Sequence, residues 1–404
     1  MDPRDSEEEA AFRAEARSWL ERNARLRPRP AIVSSAIVAE WSPEEEESRF
    51  QAAVDWQRLK SSEGWAGIAW PTKYGGRGAG LVESVIFDEE ETRFDLSRDA
   101  LSVGLGWCGP AVLAHGSEEQ RDRFLPPLLR GDEVWCQLFS EPDAGSDVAG
   151  LRTRAVRDGE EWVLSGQKAW TTFAHRSDWG LCIARTDSAL PKHRGLTAFV
   201  VDMHDPGVRC NPLVQMTGSS NFNEVFLDEV VVPDDRVVGG VGQGWSVVIT
   251  TFMFERIGVI FDTEGLVEAL KHLIGEKGAG DRRQVRERFA RVAIGSRILQ
   301  FHKLRLLTSL AQGRTPGPEG SVVKLAATRF LSEAYELGLY VLGPAATVIG
   351  SGEAAEWLSA FLGAPGLRIG GGTDEVQKNI VGERVLGLPG EPRPDRDLPF
   401  ATGG

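Results

Sequence analysis

The sequence is poor in cysteine and histidine and has no excess of positive charge. Cys108, Cys136, Cys182 and Cys210 are the only cysteines among 404 residues, and no two form a CxxC pair. That spacing excludes a readable zinc ribbon and suits reduced core thiols of a cytosolic protein. The six histidines form no spaced cluster, so no metal site is expected. Lysine and arginine number 46 against 59 acidic residues, for a formal charge of −13. This argues against a nucleic-acid or anionic-membrane partner, although a local basic patch can still hold a phosphate. The first residues, MDPRDSEEEAAF, lack an apolar stretch, so no signal peptide is read. The longest nearly apolar run, Trp245 to Phe261, is interrupted by Glu255 and Arg256 and is short for a membrane span. There is no repeat of 20–50 residues. No GxGxxG follows a candidate strand, so a nicotinamide dinucleotide held in the usual way is not expected.

What is present is a chain long enough for a large core and two or three domains, with 41% hydrophobic and 26% charged residues. The first third reads as helices. Ser6 with Glu9 is a capping box, followed by Phe12, Ala16, Trp19 and Leu20 at helical spacing. Ser42-Pro43-Glu44-Glu45 is a second helix start. Trp70 to Gly78 (WPTKYGGRG) breaks the pattern as a loop, and a helix resumes over 81–94. Ser117 with Gln120 opens another, expected to end before Pro126-Pro127.

From about Glu133 the period becomes two. Candidate strands are 134–139, 154–157, 161–165, 179–184, 197–202, 208–212 and 224–233, separated by turns such as Asp205-Pro206-Gly207. The last third is helical again, over 245–274, 282–313, 319–342, 353–362 and 373–386. An order of helices, strands, helices excludes a doubly wound Rossmann sheet. The expected domains are 1–131, 132–238 and 239–404.

Two stretches carry chemistry. Phe139 to Thr172 begins with a small-residue loop, Ser140 to Asp147 (SEPDAGSD), and ends in Trp170-Thr171-Thr172. Glycine and hydroxyls allow close backbone approach to a ligand, and an aromatic beside two threonines suits a flat heteroaromatic cofactor. Taken alone, the loop equally suits an Asx/Ser-rich turn before a hairpin. The second stretch is Glu255, which follows ten uncharged residues, WSVVITTFMF. It either lines a cavity, where desolvation makes a carboxylate a better proton acceptor, or belongs to an exposed stripe or a structural ion pair.

The first stretch resembles the acyl-CoA dehydrogenase family through Ser140-Glu141-Pro142, Ala144-Gly145-Ser146-Asp147, Gly150, Ser165-Gly166-Gln167-Lys168, Trp170 and Thr172. A second signature follows at Gly371-Gly372-Thr373-Asp374-Glu375-Val376-Gln377-Lys378-Asn379-Ile380, and the resemblance spans nearly the whole chain. It implies an α+β fold: an N-terminal helical domain, a middle antiparallel β-barrel and a C-terminal four-helix bundle. It implies FAD, an acyl-CoA substrate oxidised to the trans-2-enoyl-CoA, and an electron-transferring flavoprotein as acceptor.

Site roles follow from the same resemblance. Gln137, Phe139, Ser140, Gly145, Ser146, Trp170, Thr171, Thr172, Thr373 and Glu375 match cofactor positions. Ser146, Phe252, Arg256, Gly371 and Gly372 match substrate positions. Most well-known members place the catalytic glutamate at the position occupied here by Gly371. In the branch that includes isovaleryl-CoA dehydrogenase, the base comes instead from the first long helix of the C-terminal domain, in a Glu-Arg pair. Glu255-Arg256 matches that pair. It implies that Glu255 takes the pro-R α-proton while the β-hydride goes to flavin N5. A backbone N–H at Gly371 still suits the thioester carbonyl.

Two further departures fall on the half of the FAD site that a neighbouring subunit completes. Gly275 to Arg283 lacks the family's R-x-x-F-G-x-P-I-x-x-F-Q pattern, and Val341-Leu342-Gly343-Pro344 replaces its Q-x-x-G-G. This resembles divergent bacterial members, some of which form mixed tetramers with a second dehydrogenase-like subunit. Homotetramer, homodimer and heterotetramer remain open. So do a flavin oxidase or monooxygenase on the same scaffold, and a subunit with little activity alone. The acyl group is not readable, although the bare Gly370-Gly371 backbone favours a larger substrate.

Overall fold

Three helices begin where their capping residues predict. Ser6, Ser42 and Ser117 each accept from the backbone N–H three residues on, and each receives the reciprocal bond from a Glu or Gln. The computed structural model describes residues 5–28, 32, 42–97, 99–258, 263–312, 317–348, 352–394 and 396–402. The capped helices are α1 (Glu7–Asn23), α2 (Pro43–Ser62) and, after α3 (Leu81–Glu91) and α4 (Gly109–His115), α5 (Glu118–Arg130). Trp19, Trp56, Trp65 and Phe87 close the core of the first three.

Helix α5 does not stop before Pro126-Pro127 but runs through both, correcting the sequence expectation. Prolines remove two helix donors and clash with the preceding turn. Here Leu125, Leu128 and Leu129 are buried in the main core and hold the helical path. Gly131, at φ 73°, then closes the helix with its N–H on the Leu128 carbonyl.

The strands are β1 (Trp135–Leu138), β2 (Arg154–Asp158), β3 (Glu161–Thr172), β4 (Trp179–Arg185), β5 (Leu196–Asp202), β6 (Val208–Leu213), β7 (Phe222–Pro233) and β8 (Val237–Val238). They form one sheet in the order β6-β7-β3-β2-β4-β5-β8, with β1 on β4. Pairing is antiparallel except for β1 and β2 against β4. Strand β5 is buried from Leu196 to Val201 because both faces are covered. Ala198 and Val200 point into the core shared with the helices, and Phe199 and Val201 into the opposite one. The buried Cys136 and Cys182 lie in that second core, and burial pushes both thiols up. All four cysteines are free thiols.

The C-terminal part holds α6 (Gly244–Gly258), α7 (Thr263–Glu276), α8 (Arg283–Ala311), α9 (Gly320–Leu342), α10 (Glu353–Ile369) and α11 (Asp374–Ile380). The helix expected over 245–274 corresponds to α6 and α7, with residues 259–262 outside the described residues. Helices α7 to α10 pack around Leu270, Leu273, Phe330, Tyr335 and Trp357. Helix α6 belongs to a different core. Its Val247 and Val248, both fully buried, pack with Leu196, Ala198 and Val200 of the sheet. Gly244 makes this approach possible: a Cβ there would stand 2.7 Å from the Thr197 nitrogen. Among the described residues, no helix is long and apolar enough to cross a membrane.

Candidate active site

Helix α6 runs from the sheet core toward the α10–α11 turn, and its inward stripe decides where Glu255 lies. Val247, Val248 and Thr251 are buried, Phe252 and Glu255 are half-buried, and Ile249 is exposed. Positions 247, 251 and 255 fall on one helical face. Glu255 therefore continues the buried stripe, not the exposed one. Phe252 meets Phe139 edge to face, with ring centroids 5.9 Å apart, and so joins this helix to the 139–152 loop. The Arg256 side chain lies outside the described residues.

Opposite Glu255 is the Gly371-Gly372 turn. Both glycines have left-handed backbones, at φ +64° and +86°, which other residues adopt at a cost. A Cβ built on Gly371 would stand 2.6 Å from Glu255 Oε1. The turn is held from behind. Gln377 Nε2 donates to the Gly371 carbonyl at 2.8 Å and to that of Gly372 at 3.3 Å, while Lys324 Nζ donates to Gly372 at 2.6 Å. Thr373 caps α11 by accepting from the Val376 N–H, and Glu375 is exposed.

The 139–152 loop is framed by a buried ion pair. Lys168 is fully buried on β3, and its Nζ donates to Glu141 Oε1 at 2.9 Å and to the Phe139 and Ile183 carbonyls. Glu141 also accepts from the Arg152 and Thr153 N–H groups. Burial raises the Glu141 carboxyl, but Lys168 and these donors outweigh it and hold the group below its ordinary value. The loop tip projects from this frame: Gly145 and Ser146 are exposed, and a Cβ on Gly145 would meet nothing within 4 Å. Gln137 and Ser140 are half-buried beneath it.

The Trp170-Thr171-Thr172 run is divided by an irregularity in the β3–β7 register between Lys168 and Thr171. Trp170 sits at φ 60° and is 61% exposed, edge-on to Phe222. Thr171 is buried, and its hydroxyl makes no hydrogen bond among the described residues. Thr172 is half-buried. An exposed indole, a buried hydroxyl without a partner and a small-residue loop tip fit a flat cofactor with a phosphate-bearing arm.

Lys324 was not noted in the sequence, and Glu141, Lys168 and Gln377 stood there only as signature matches without a role. The available signal for Lys324 was a lone lysine in the apolar run SVVKLAA. The structure also gathers His272, Glu276 and Glu353, whose donor atoms lie within 4.8 Å of one another, although no histidine cluster is visible in the sequence.

Family models for the acyl-CoA dehydrogenase N-terminal, middle and C-terminal domains match residues 6–132, 136–230 and 242–386. The acyl-CoA dehydrogenase IpdE1 of Mycobacterium tuberculosis is 37% identical over 385 residues, covering 94% of this chain and 98% of that protein. The chain belongs to the acyl-CoA dehydrogenase family. It is thus an oxidoreductase of a family that uses FAD. The acyl-CoA dehydrogenase FadE34 of the same organism is 39% identical over 363 residues, or 89% of this chain. The chain spans only 48%, about half, of that relative. Among solved structures, the "Tcur3481-Tcur3483 steroid ACAD" superposes with a TM-score of 0.82 at 26% identity, over 97% of this chain and all of that one.

Proposed function

We propose that this dehydrogenase oxidises an acyl-CoA thioester to its trans-2-enoyl-CoA, with Glu255 as the α-proton base. The observation that carries the reading is the Glu255 carboxylate in the space that a side chain at position 371 would need. Bound FAD would supply the acceptor for the two electrons and the β-hydrogen. The rest falls to the protein. Gln137, Phe139, Ser140, Gly145, Ser146, Trp170, Thr171, Thr172, Thr373 and Glu375 would hold the cofactor. Phe252, Ser146, Arg256, Gly371 and Gly372 would line the thioester. Glu255 would remove the α-proton from one face of the Cα–Cβ bond, and a backbone N–H of the glycine turn would bind the thioester oxygen, where enolate charge develops.

A bulky, ring-bearing acyl group fits best. Residues 370–372 carry no side chains beside the base, and the steroid ACAD resembles this chain over nearly its full length. An electron-transferring flavoprotein would take the electrons onward. The domains would run 1–131, 132–238 and 239–404. A mixed tetramer is a second reading, favoured by the altered cross-subunit segments at 275–283 and 341–344 and by the two-component name of the steroid ACAD.

Anaerobic addition of acyl-CoA thioesters to the yellow protein tests the reading. Bleaching of the oxidised-flavin band by a ring-bearing thioester is expected. A yellow protein that no thioester bleaches would overturn it, and a colourless chain that gains flavin only with a partner would move the choice to the mixed tetramer.

A further inference from the structure

Lys324 is buried, with 4% of its surface exposed, in an apolar stretch of α9. Lysine is seldom buried without a compensating partner, because its charge is costly to desolvate. One partner here is the Gly372 carbonyl, at 2.6 Å. Gln377, fully buried, takes the Gly371 carbonyl at 2.8 Å. In a trans peptide unit the N–H points opposite the C=O. Fixing these two carbonyls therefore turns the Gly372 N–H away from Gln377 and the Thr373 N–H away from Lys324. It also fixes the paired left-handed backbone that keeps Gly371 against Glu255. The next acidic group along the signature, Asp374, is neutralised separately by Arg368 at 2.6 Å.

We propose that Lys324 is a positioning residue for the reaction: by holding the Gly372 carbonyl it fixes the turn that offers a backbone N–H to the thioester, and it presents a buried cation toward the developing enolate. The proposal rests on the reading of Glu255 as base. The ammonium's contact with the turn runs through the Gly372 carbonyl. Its charge also favours ionisation of the α-carbon, a contribution that turn geometry alone does not make.

The test uses the FAD-loaded full chain, with any partner subunit it requires, and a 3-thia-acyl-CoA. Such an analogue can lose its α-proton but cannot pass on a β-hydride, and its enolate gives a long-wavelength charge-transfer band with oxidised flavin. Lys324→Met is expected to retain flavin while raising the pH midpoint of that band by about one unit. Its kcat should fall at least ~10-fold with KM changed much less. Lys324→Gln keeps a donor without the charge; it should also raise the midpoint, and it serves as the test if the Met variant fails to fold. A midpoint and kcat unchanged from wild type in the folded variant overturn the proposal. Failure of the underlying reading looks different: Glu255→Gln would then ionise the analogue as well as wild type does.

Discussion

Glu255 and Gly371 compete for one space. A Cβ on Gly371 would lie 2.6 Å from Glu255 Oε1, closer than real β-carbons come to non-bonded heavy atoms. A glutamate at position 371 and the observed Glu255 rotamer are therefore incompatible. Gly371 leaves free the space that the Glu255 carboxylate occupies in this rotamer.

Gly371→Ala should impair the enzyme in two ways. The left-handed backbone should cost about 1–2 kcal/mol of stability. The new methyl should displace the Glu255 carboxylate and lower kcat by about 10²-fold, as a misplacement near 1 Å can. Thermal melts and steady-state kinetics on the same preparation check both. Unchanged turnover would mean that Glu255 does not act from its observed position.

Lys168→Met should strip Glu141 of its buried partner and destabilise the fold by about 3–5 kcal/mol. The double variant Glu141→Gln/Lys168→Met should be less destabilised than the single. The pH dependence follows in sign. The Glu141 carboxyl is held below 4.5 in the folded protein, so its stabilisation is present above that value and is lost as pH falls through the lowered folded value. Without Lys168 the acid limb should move to higher pH. Melting temperature and flavin release, followed from pH 7 to pH 3, measure this.

Trp170→Ala should separate binding from stability. Trp170 is 61% exposed, so the change should alter stability by no more than about 0.5 kcal/mol. Its proposed place against the cofactor predicts weaker flavin retention and an altered flavin spectrum. Dialysis followed by absorption spectroscopy reads both, and full retention with an unchanged spectrum would remove Trp170 from the site.

The tail reaches the same loop from the other side. The Phe400 ring lies 3.5 Å from the guanidinium of Arg185, which in turn donates to the Ala149 and Leu151 carbonyls at the loop exit. Phe400→Ala should cost about 0.5–2 kcal/mol. Hydrogen exchange should show faster opening around 149–152, and protection equal to wild type would argue against this strap.

Local chemistry was legible in the sequence. The three capping boxes need only serine and Glu or Gln three residues apart, and all three formed. The helical spacing of Val247, Thr251 and Glu255 was also present, but only the packing of Val247 against β5 revealed which face was inward. Long-range placement was not legible. Nothing in SVVKLAA indicates that Lys324 reaches a carbonyl 48 residues away. Nothing in Trp170-Thr171-Thr172 indicates the register shift that exposes the indole and buries the next hydroxyl. The Pro126-Pro127 stop signal was overridden by the burial of its leucine neighbours.

Removal of the α-proton by Glu255 is the step on which the proposed reaction depends. Stopped-flow absorption of Glu255→Gln, loaded with FAD and mixed anaerobically with a thioester that bleaches wild type, tests it most directly. The variant is expected to be yellow, to bind the thioester and to resist reduction by it, with the bleaching rate down by about 10²–10⁴-fold. Bleaching at a rate near wild type would contradict it and place the base elsewhere.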